Sequence, residues 1–247
     1  MISRGHLLKF YWNTRGRIAP ALRHAQDFYE ETLKEAVRAD TVWLDLGCGH
    51  QILPEWRFSE EEKLTRTCKM VVGVDFDMPS LLRHRSIRMR VHSGIENLPF
   101  SDATFDLVTA NMVVEHLDDP EKQFKEISRV LKPGGLFIFH TPNANGYFAR
   151  LRRFVPTPIN NALVSLLDGR QSADVFPVHY KANTSSRIEG LAKSAQLEVV
   201  KQRMLNTDAV FSVVPPLMIV ELLWLRALMS NNLRSLRTNI LATLRKQ

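Results

Sequence analysis

The sequence has few cysteines and no long apolar run. Cys48 and Cys68 are its two cysteines in 247 residues, too few for a disulfide framework, and they do not form the C-x-x-C pair typical of zinc sites. A reducing, cytoplasmic location is therefore expected. We find no uninterrupted stretch of about 18 apolar residues, so a membrane-spanning helix is not expected. The opening residues lack the apolar core of a secretory signal, and none is expected.

The net charge of +7 is unevenly distributed. Residues 201–247 contain seven Lys/Arg against Asp208 and Glu221, which indicates either an anionic partner (a membrane or a nucleic acid) or a solvated basic face. Residues 215–229 are strongly apolar although Glu221 and Arg226 interrupt them. This combination fits a helix in a membrane interface, a helix packed on the core or a homodimer contact, so residues 215–247 are a candidate membrane-binding segment.

Short apolar runs alternate with helical periodicity along most of the chain. The predicted strands are 41–46, 70–75, 86–92, 105–110, 136–140 and 197–204, with 208–214 as a further candidate. The predicted helices are 20–38, 79–85, 119–131, 185–195, 216–229 and 232–245. Such alternation predicts right-handed crossovers between parallel strands. We therefore predict an α/β, Rossmann-like, doubly wound and mostly parallel seven-stranded sheet with helices on both faces, plus helical N-terminal and C-terminal lid elements.

The same pattern suggests three parts of the chain. Residues 1–40 form an N-terminal helical cap, and residues 41–214 form the central nucleotide-binding domain. Residues 145–183 are a lid insertion within that domain, and residues 215–247 are C-terminal helices that combine apolar and basic side chains.

A glycine turn follows the first predicted strand. Asp45-Leu46-Gly47-Cys48-Gly49 has an acid two residues before its first glycine, and Asp75 ends the second strand. Glycines at this position let the backbone turn tightly and approach a ligand closely. The next helix can receive an anionic group at its first amides. A carboxylate at Asp75 can accept hydrogen bonds from both hydroxyls of a ribose.

Further segments follow the turn in a recognisable order. They are Asn97-Leu98-Pro99-Phe100, Phe105-Asp106-Leu107-Val108, Asn111, Glu115-His116-Leu117 and Leu131-Lys132-Pro133-Gly134-Gly135. Together with the turn and Asp75, these segments resemble the class I S-adenosylmethionine (SAM)-dependent methyltransferases over about a hundred residues, 41–140. The resemblance implies SAM as the cofactor.

The resemblance also implies a set of cofactor-binding residues: Asp45, Gly47, Gly49, Asp75, Phe76, Ile95, Glu96 and Asn111. In this interpretation Asp45 holds the amino group of the methionyl moiety, directly or through water, and the two glycines admit that end of the cofactor. Asp75 binds the ribose, with Phe76 beside the adenine. Ile95 and Glu96 belong to the adenine-side loop, and Asn111 faces the methionyl group.

Two positions, Gln51 and Gly94, depart from the methyltransferase pattern. The third loop glycine would fall at Gln51, and the glycine of the NAD spacing would fall at Ile52. The acid that often binds the adenine amino group would fall at Gly94, so we expect adenine recognition to rest either on backbone groups or on Glu96. These departures leave a non-catalytic scaffold as an alternative function.

Methyl transfer to a hydroxyl needs a positioned base, for which histidine is suited. His116 and His140 are the leading candidates because both follow strands at their carboxyl ends, where ligands bind in such sheets. His179 is a third, and any of the three could instead be structural. Arg150, Arg152 and Arg153 could hold an anionic substrate or form a solvated helix face.

We therefore expect an O-methyltransferase acting on a small or lipid-linked hydroxyl compound. Three alternatives remain. A nucleic-acid methyltransferase fits the basic charge, but Asn111-Met112-Val113-Val114 lacks the Asn/Asp-Pro-Pro-aromatic signature, so a nucleic-acid partner is not expected. The other two are the scaffold and an NAD-dependent dehydrogenase that shares the glycine turn.

Overall fold

A computed structural model describes residues 4–152 and 177–247 of the chain. The helices in these residues are α1 (Arg4–Ile18), α2 (Ala25–Ala36), α3 (Phe58–Thr67), α4 (Met78–Leu82), α5 (Pro120–Val130), α6 (Tyr147–Arg152), α7 (Ser185–Ser194) and α8 (Pro215–Leu228). The strands are β1 (Val42–Leu46), β2 (Met70–Asp75), β3 (Met89–His92), β4 (Phe105–Asn111), β5 (Leu131–Pro142), β6 (Leu197–Leu205) and β7 (Asn239–Lys246). Short 3-10 turns lie at Glu55–Arg57, Val114–His116 and Asn231–Leu236.

The strands form one seven-stranded sheet in the order β3-β2-β1-β4-β5-β7-β6. β3, β2, β1, β4 and β5 pair in parallel. The order reverses direction at β1, so the loops after β1 and β4 leave the same edge of the sheet on either side of a crevice. Ligands bind at this switch point in doubly wound sheets. The predicted fold class, an α/β Rossmann-like sheet that is mostly parallel, is confirmed.

Helices cover both faces of the sheet because successive strand residues point to opposite sides. On one face, Tyr29 of α2 packs against His140, with ring centroids 6.1 Å apart. On the other face, Phe124 of α5 packs edge-on against Phe137 and Phe139. Pro120 in the first turn and Asp119, which accepts a hydrogen bond from the Lys122 amide, start α5 where the sequence predicts its beginning.

The described residues divide into two compact units. The sheet unit comprises 26–142, 178–203 and 240–247, and the helical unit comprises 4–25, 143–152, 177 and 204–239. The sheet unit contains the five parallel strands and the glycine turn. The helical unit has its own apolar cluster, in which Tyr11 of α1 lies with Met218, Leu222 and Leu225 of α8.

The secondary structure near the C-terminus differs from the prediction. Residues 208–214 form turns rather than a strand, and residues 232–245 divide into a 3-10 turn and strand β7 rather than one helix. Ile240, Leu241, Ala242 and Leu244 are all buried, and a short run buried on both sides gives no periodicity that separates helix from strand. Helix α3 lies in a stretch for which the sequence pattern predicts no element.

Part of the predicted lid insertion, residues 145–183, lies outside the described residues, as does Arg153. The described ranges 4–152 and 177–247 contain no helix that is both long and apolar enough to cross a membrane.

Candidate functional site

The glycine turn after β1 has a backbone conformation that residues with a Cβ rarely adopt. Gly47 has a φ of +60°, and a Cβ at this position would lie 2.4 Å from a methyl group of Val113, in the loop after β4. Gly49 also has a positive φ, of +51°, but a Cβ there would meet no atom within 4 Å. Gly47 therefore lets the loops after β1 and β4 approach each other, while Gly49 leaves open space at the surface of the turn.

Asp75 fastens this turn to the end of β2. Its Oδ2 accepts a hydrogen bond of 2.7 Å from the Gly49 amide, and its Oδ1 accepts one of 2.8 Å from the Asp77 amide. Each carboxylate oxygen has a second lone pair for a further donor. The carboxylate that the sequence assigns to the ribose thus also sets the position of the glycine loop.

Asp45 is a buried carboxylate. Among the described residues, the charges that affect its ionisation are those of two other acids. Its Oδ1 accepts a hydrogen bond of 2.5 Å from Thr109, whose hydroxyl also accepts one from the Trp43 indole. Burial, and the nearby charges of Glu61 and Asp75, raise the pKa of Asp45 to about 7, against the lowering effect of Thr109. Such a carboxylate would be stabilised by a cationic ligand group, and the ammonium of a methionyl moiety fits this requirement.

The Glu96 carboxylate lies beside Gly94, the position where an acid is expected from the methyltransferase pattern. A Cβ on Gly94 would lie 2.3 and 2.4 Å from the two carboxylate oxygens of Glu96. The Glu96 carboxylate therefore occupies the place where an acidic side chain at position 94 would begin. Nearby, the Phe76 ring is 56% exposed, and the Phe76 carbonyl lies 2.8 Å from His92 Nε2. Ile95 between Gly94 and Glu96 is half-buried.

Asn111, at the end of β4, is held by α2 and β5. Its amide exchanges two hydrogen bonds of 3.2 Å with the amide of Gln26, and its Nδ2 also faces the Ile52 carbonyl. Its Oδ1 therefore faces His140 Nδ1 at 2.9 Å. Because an amide oxygen can only accept, the Nδ1 of His140 carries the proton. His140 is 2% exposed.

His116 has a more accessible position than His140. It ends the 3-10 turn after β4, its side chain is 29% exposed, and its Nε2 lies 4.0 Å from Glu115 Oε1. The buried Glu115 carboxylate accepts a hydrogen bond from Thr141, which in turn accepts one from Asn183. The Glu115 carbonyl accepts a hydrogen bond of 2.8 Å from the His179 amide. This network holds the segment containing His179 against the loop after β4.

Glu61 supports the glycine loop from α3 and is absent from the sequence-based assignment. Its fully buried carboxylate accepts hydrogen bonds from the amides of Ile52 and Leu53 and from the Ser86 hydroxyl, and it forms an ion pair of 2.9 Å with Arg85. Burial alone would raise the pKa of Glu61, but these donors outweigh it and lower the pKa. No motif marked Glu61, one of three consecutive glutamates, as the buried one.

Sequence reasoning also missed Gln26, Tyr29 and Thr109, whose contacts join distant segments. By contrast, Cys48 behaves as expected from its place in the turn: burial raises the pKa of its thiol, which disfavours the nucleophilic thiolate. Arg150 in α6 is exposed, and the substrate role suggested for it and Arg152 stays a prediction.

Part of the chain is similar in sequence to known methyltransferases. Residues 44–139 match the family described as a methyltransferase domain. The chain is 39% identical over 85 residues to a demethylmenaquinone methyltransferase of Corynebacterium kroppenstedtii. The aligned residues cover 32% of this chain and 37% of that protein. It is 34% identical over 99 residues to a malonyl-(acyl-carrier protein) O-methyltransferase of Hahella chejuensis, covering 40% and 35% of the two chains. The match thus spans little more than a third of the length of these relatives.

Among solved structures, a SAM-dependent methyltransferase from Methanosarcina mazei has a TM-score of 0.57 at 15% identity, over 87% of this chain and 96% of the other. At that identity the likeness concerns the fold. Residues 44–139 of this chain thus match a methyltransferase domain, and its fold is that of the class I SAM-dependent methyltransferases, whose cofactor is S-adenosylmethionine.

Proposed function

We propose that this protein is a SAM-dependent methyltransferase that transfers a methyl group to the hydroxyl of a small or lipid-linked acceptor. One observation carries the proposal. The buried Asp45 carboxylate has a pKa raised to about 7, and it lies in a site bordered by the open glycine turn. A ligand with a cationic end stabilises that charge, and a methionyl ammonium has this property.

The proposed binding roles follow the contacts. Asp45 holds the methionyl ammonium, Gly47 and Gly49 admit the methionyl end, and Asp75 binds the ribose with the lone pairs left by the Gly49 and Asp77 amides. The Glu96 carboxylate accepts from the adenine amino group in place of an acid at position 94. Phe76 and Ile95 border the adenine, and Asn111 borders the methyl group.

When bound, SAM would supply a methyl group activated by the positive charge of its sulfonium. The chain's contribution is chiefly alignment, which can be worth roughly 7–11 kcal/mol in favourable cases. Asn111 suits this task because Gln26 and His140 fix its orientation. Removal of the hydroxyl proton by a positioned base contributes a further factor of about 10²–10⁴.

We propose His116 as that base, with His140 as the second candidate. The side chain of His116 is partly exposed at the end of the loop after β4, and the adjacent Glu115 carboxylate lies 4.0 Å from its Nε2. His140 is buried and bonded to Asn111, which suits positioning of Asn111 better than proton transfer.

The choice of acceptor draws on the relatives. The names of two of them specify demethylmenaquinone and malonyl-(acyl-carrier protein) as acceptors. We propose an acceptor of the same broad kind, small or attached to a lipid, rather than a nucleic acid. A lipid-linked acceptor fits a cytoplasmic protein that works at the periphery of a membrane. The alternative is that residues 215–247 form a homodimer contact through their apolar side chains.

Titration with SAM in a calorimeter tests the cofactor, and a methylation assay tests the base. Asp75→Ala is expected to weaken SAM binding tenfold or more, because a hydrogen bond to a charged group is worth about 1.5–3 kcal/mol. The control, Asp102→Ala, removes an exposed carboxylate bound to Arg129 and should leave the affinity unchanged. Absence of SAM binding by the unaltered protein would contradict the proposal.

With hydroxylated acceptors, including a quinol, His116→Asn should lower kcat by about 10²–10⁴ while SAM affinity stays constant. His140→Asn should instead change the KM for the acceptor together with SAM affinity, because it releases Asn111. A normal kcat in His116→Asn together with a large loss in His140→Asn would reverse the two assignments.

A further inference from the structure

Helix α8 is apolar on its exposed side as well as on its buried side. Its buried side carries the charged Glu221 along with Met218, Leu222 and Leu225. Its exposed side consists of Pro216, Leu217, Ile219, Val220, Leu223, Trp224, Arg226 and Ala227. Arg226 is thus the one charged residue on the exposed side of this described helix. An exposed apolar surface of this kind indicates a binding site rather than chance exposure.

Helix α1 packs against α8 in the same unit and adds to this surface. Tyr11 faces the shared cluster with α8, whereas Leu8, Phe10 and Trp12 are 39%, 45% and 53% exposed. The Arg226 guanidinium donates to the Ile18 carbonyl at the end of α1. We call the exposed side of α8 together with Leu8, Phe10 and Trp12 of α1 the apolar face.

The charge of the helical unit that carries this face is almost entirely positive. The described residues of the helical unit include ten Lys/Arg and two acids, Asp208 and Glu221. Asp208 is paired with Arg15 at 2.7 Å, and Glu221 is buried and accepts hydrogen bonds from Tyr147 and the Phe211 amide. The sheet unit has 21 Lys/Arg against 22 Asp/Glu in its described residues. The charge excess of the chain therefore belongs to the unit that carries the apolar face.

We propose that the apolar face binds the surface of an anionic lipid bilayer. α8 has 14 residues, about 21 Å of helix, which is shorter than the roughly 20 residues that a spanning helix requires. A helix with apolar residues on one side and cations around it lies in the plane of the interface. The inference builds on the peripheral location proposed above, and it adds the lipid chemistry and the residues.

A second copy of the chain fits this surface less well. A two-fold contact would bring each cationic unit against its own copy, and the two acids of the described helical unit are already occupied by Arg15, Tyr147 and the Phe211 amide. A nucleic acid offers phosphates for the cations but nothing apolar for Val220 and Leu223, which are 66% and 53% exposed. An anionic bilayer satisfies both the charge and the apolar side chains.

Vesicle sedimentation with the full chain tests this proposal. The protein should bind vesicles of phosphatidylcholine with phosphatidylglycerol, bind pure phosphatidylcholine at least tenfold more weakly, and lose affinity as salt rises. Val220→Asp with Leu223→Asp should reduce binding at least tenfold. The control, Val200→Asp, changes a residue in the sheet unit that is 45% exposed and should bind normally. Thermal unfolding and SAM titration verify that each variant is folded.

Fluorescence quenching by brominated lipids locates the contact. Trp12 and Trp224 lie on the apolar face, whereas Trp56, 78% exposed, belongs to the sheet unit. Quenching on anionic vesicles should persist in Trp56→Phe and be lost in the double variant Trp12→Phe with Trp224→Phe. Quenching that depends on Trp56 would overturn the proposal.

Three other outcomes would also overturn it: no vesicle binding by a folded protein, a dimer that Val220→Asp dissociates without any vesicle binding, or RNA binding in place of vesicle binding. SAM affinity is measured separately in each case. A protein that binds SAM but not vesicles would refute the lipid surface alone, and a protein that binds vesicles but not SAM would refute the methyltransferase proposal alone.

Discussion

Replacing Asp45 by Asn is expected to stabilise the cofactor-free protein at neutral pH. The pKa of Asp45 is raised from 3.8 to about 7, chiefly by burial. A carboxyl group whose pKa is higher in the folded state favours folding while it is protonated and disfavours it once it ionises. The stability contribution is therefore fully present below pH 4 and is lost as the pH rises through about 7.

The magnitude follows from the two pKa values. A difference of one pH unit corresponds to about 1.4 kcal/mol, so the ionisation of Asp45 costs the folded chain about 4 kcal/mol above pH 7. Asn has the same shape, keeps an oxygen that can accept from Thr109, and carries no charge. Asp45→Asn should match the unaltered protein near pH 4 and exceed its free energy of unfolding by up to about 4 kcal/mol near pH 8.

Urea unfolding of the cofactor-free proteins between pH 4 and 8 measures this difference. The control, Asp40→Asn, removes an exposed carboxylate and should give the same pH dependence as the unaltered protein. SAM should bind Asp45→Asn at least tenfold more weakly, because the carboxylate that holds the ammonium is gone. The reasoning would be refuted if Asp45→Asn were less stable than the unaltered protein at pH 8, or if the two had parallel pH profiles.

Two further predictions concern residues that support the site. Glu96→Ala should weaken SAM binding roughly tenfold or more, the loss expected for a hydrogen bond to a charged group. Adding Gly94→Asp to that variant should restore SAM binding, because the new carboxylate would occupy the same place. Calorimetry that shows no restoration would contradict the adenine role of Glu96. Glu61→Gln should lower the free energy of unfolding by about 3–5 kcal/mol, because it leaves the partly buried Arg85 guanidinium without its anionic partner, and lower Tm by roughly 6–20 °C. Glu62→Gln, which disturbs an exposed pair in the same helix, is the control in thermal unfolding, and equal Tm changes in the two variants would show that Glu61 has no special structural role.

The glycine turn and its contact with Asp75 could be predicted from sequence because they depend on local order. Asp45, Gly47 and Gly49 follow a buried strand, and Asp75 ends the next one. Since parallel neighbours end at the same edge of a sheet, the chain order alone brings Asp75 to the glycine turn. In the structure the Gly49 amide nitrogen lies 2.7 Å from Asp75 Oδ2.

The contacts around Asn111 could not be predicted in this way. Gln26 and His140 lie 85 and 29 residues from Asn111, and no periodicity in α2 indicates which side chain faces the end of β4. The position of Glu96 over Gly94 depends on how one side chain folds back, which the residue types leave open. Likewise, the buried run that forms β7 is compatible with a helix until its neighbours in the sheet are known.

The sequence by itself determined the fold class and the glycine turn after β1, because backbone conformation and strand order encode both locally. Tertiary structure decided which glutamate is buried under the glycine loop, which amide orients Asn111, and which helix exposes apolar residues beside cations. These features depend on contacts between side chains from distant segments, because the free energy of burying or pairing a group depends on the neighbours that the folded chain places around it.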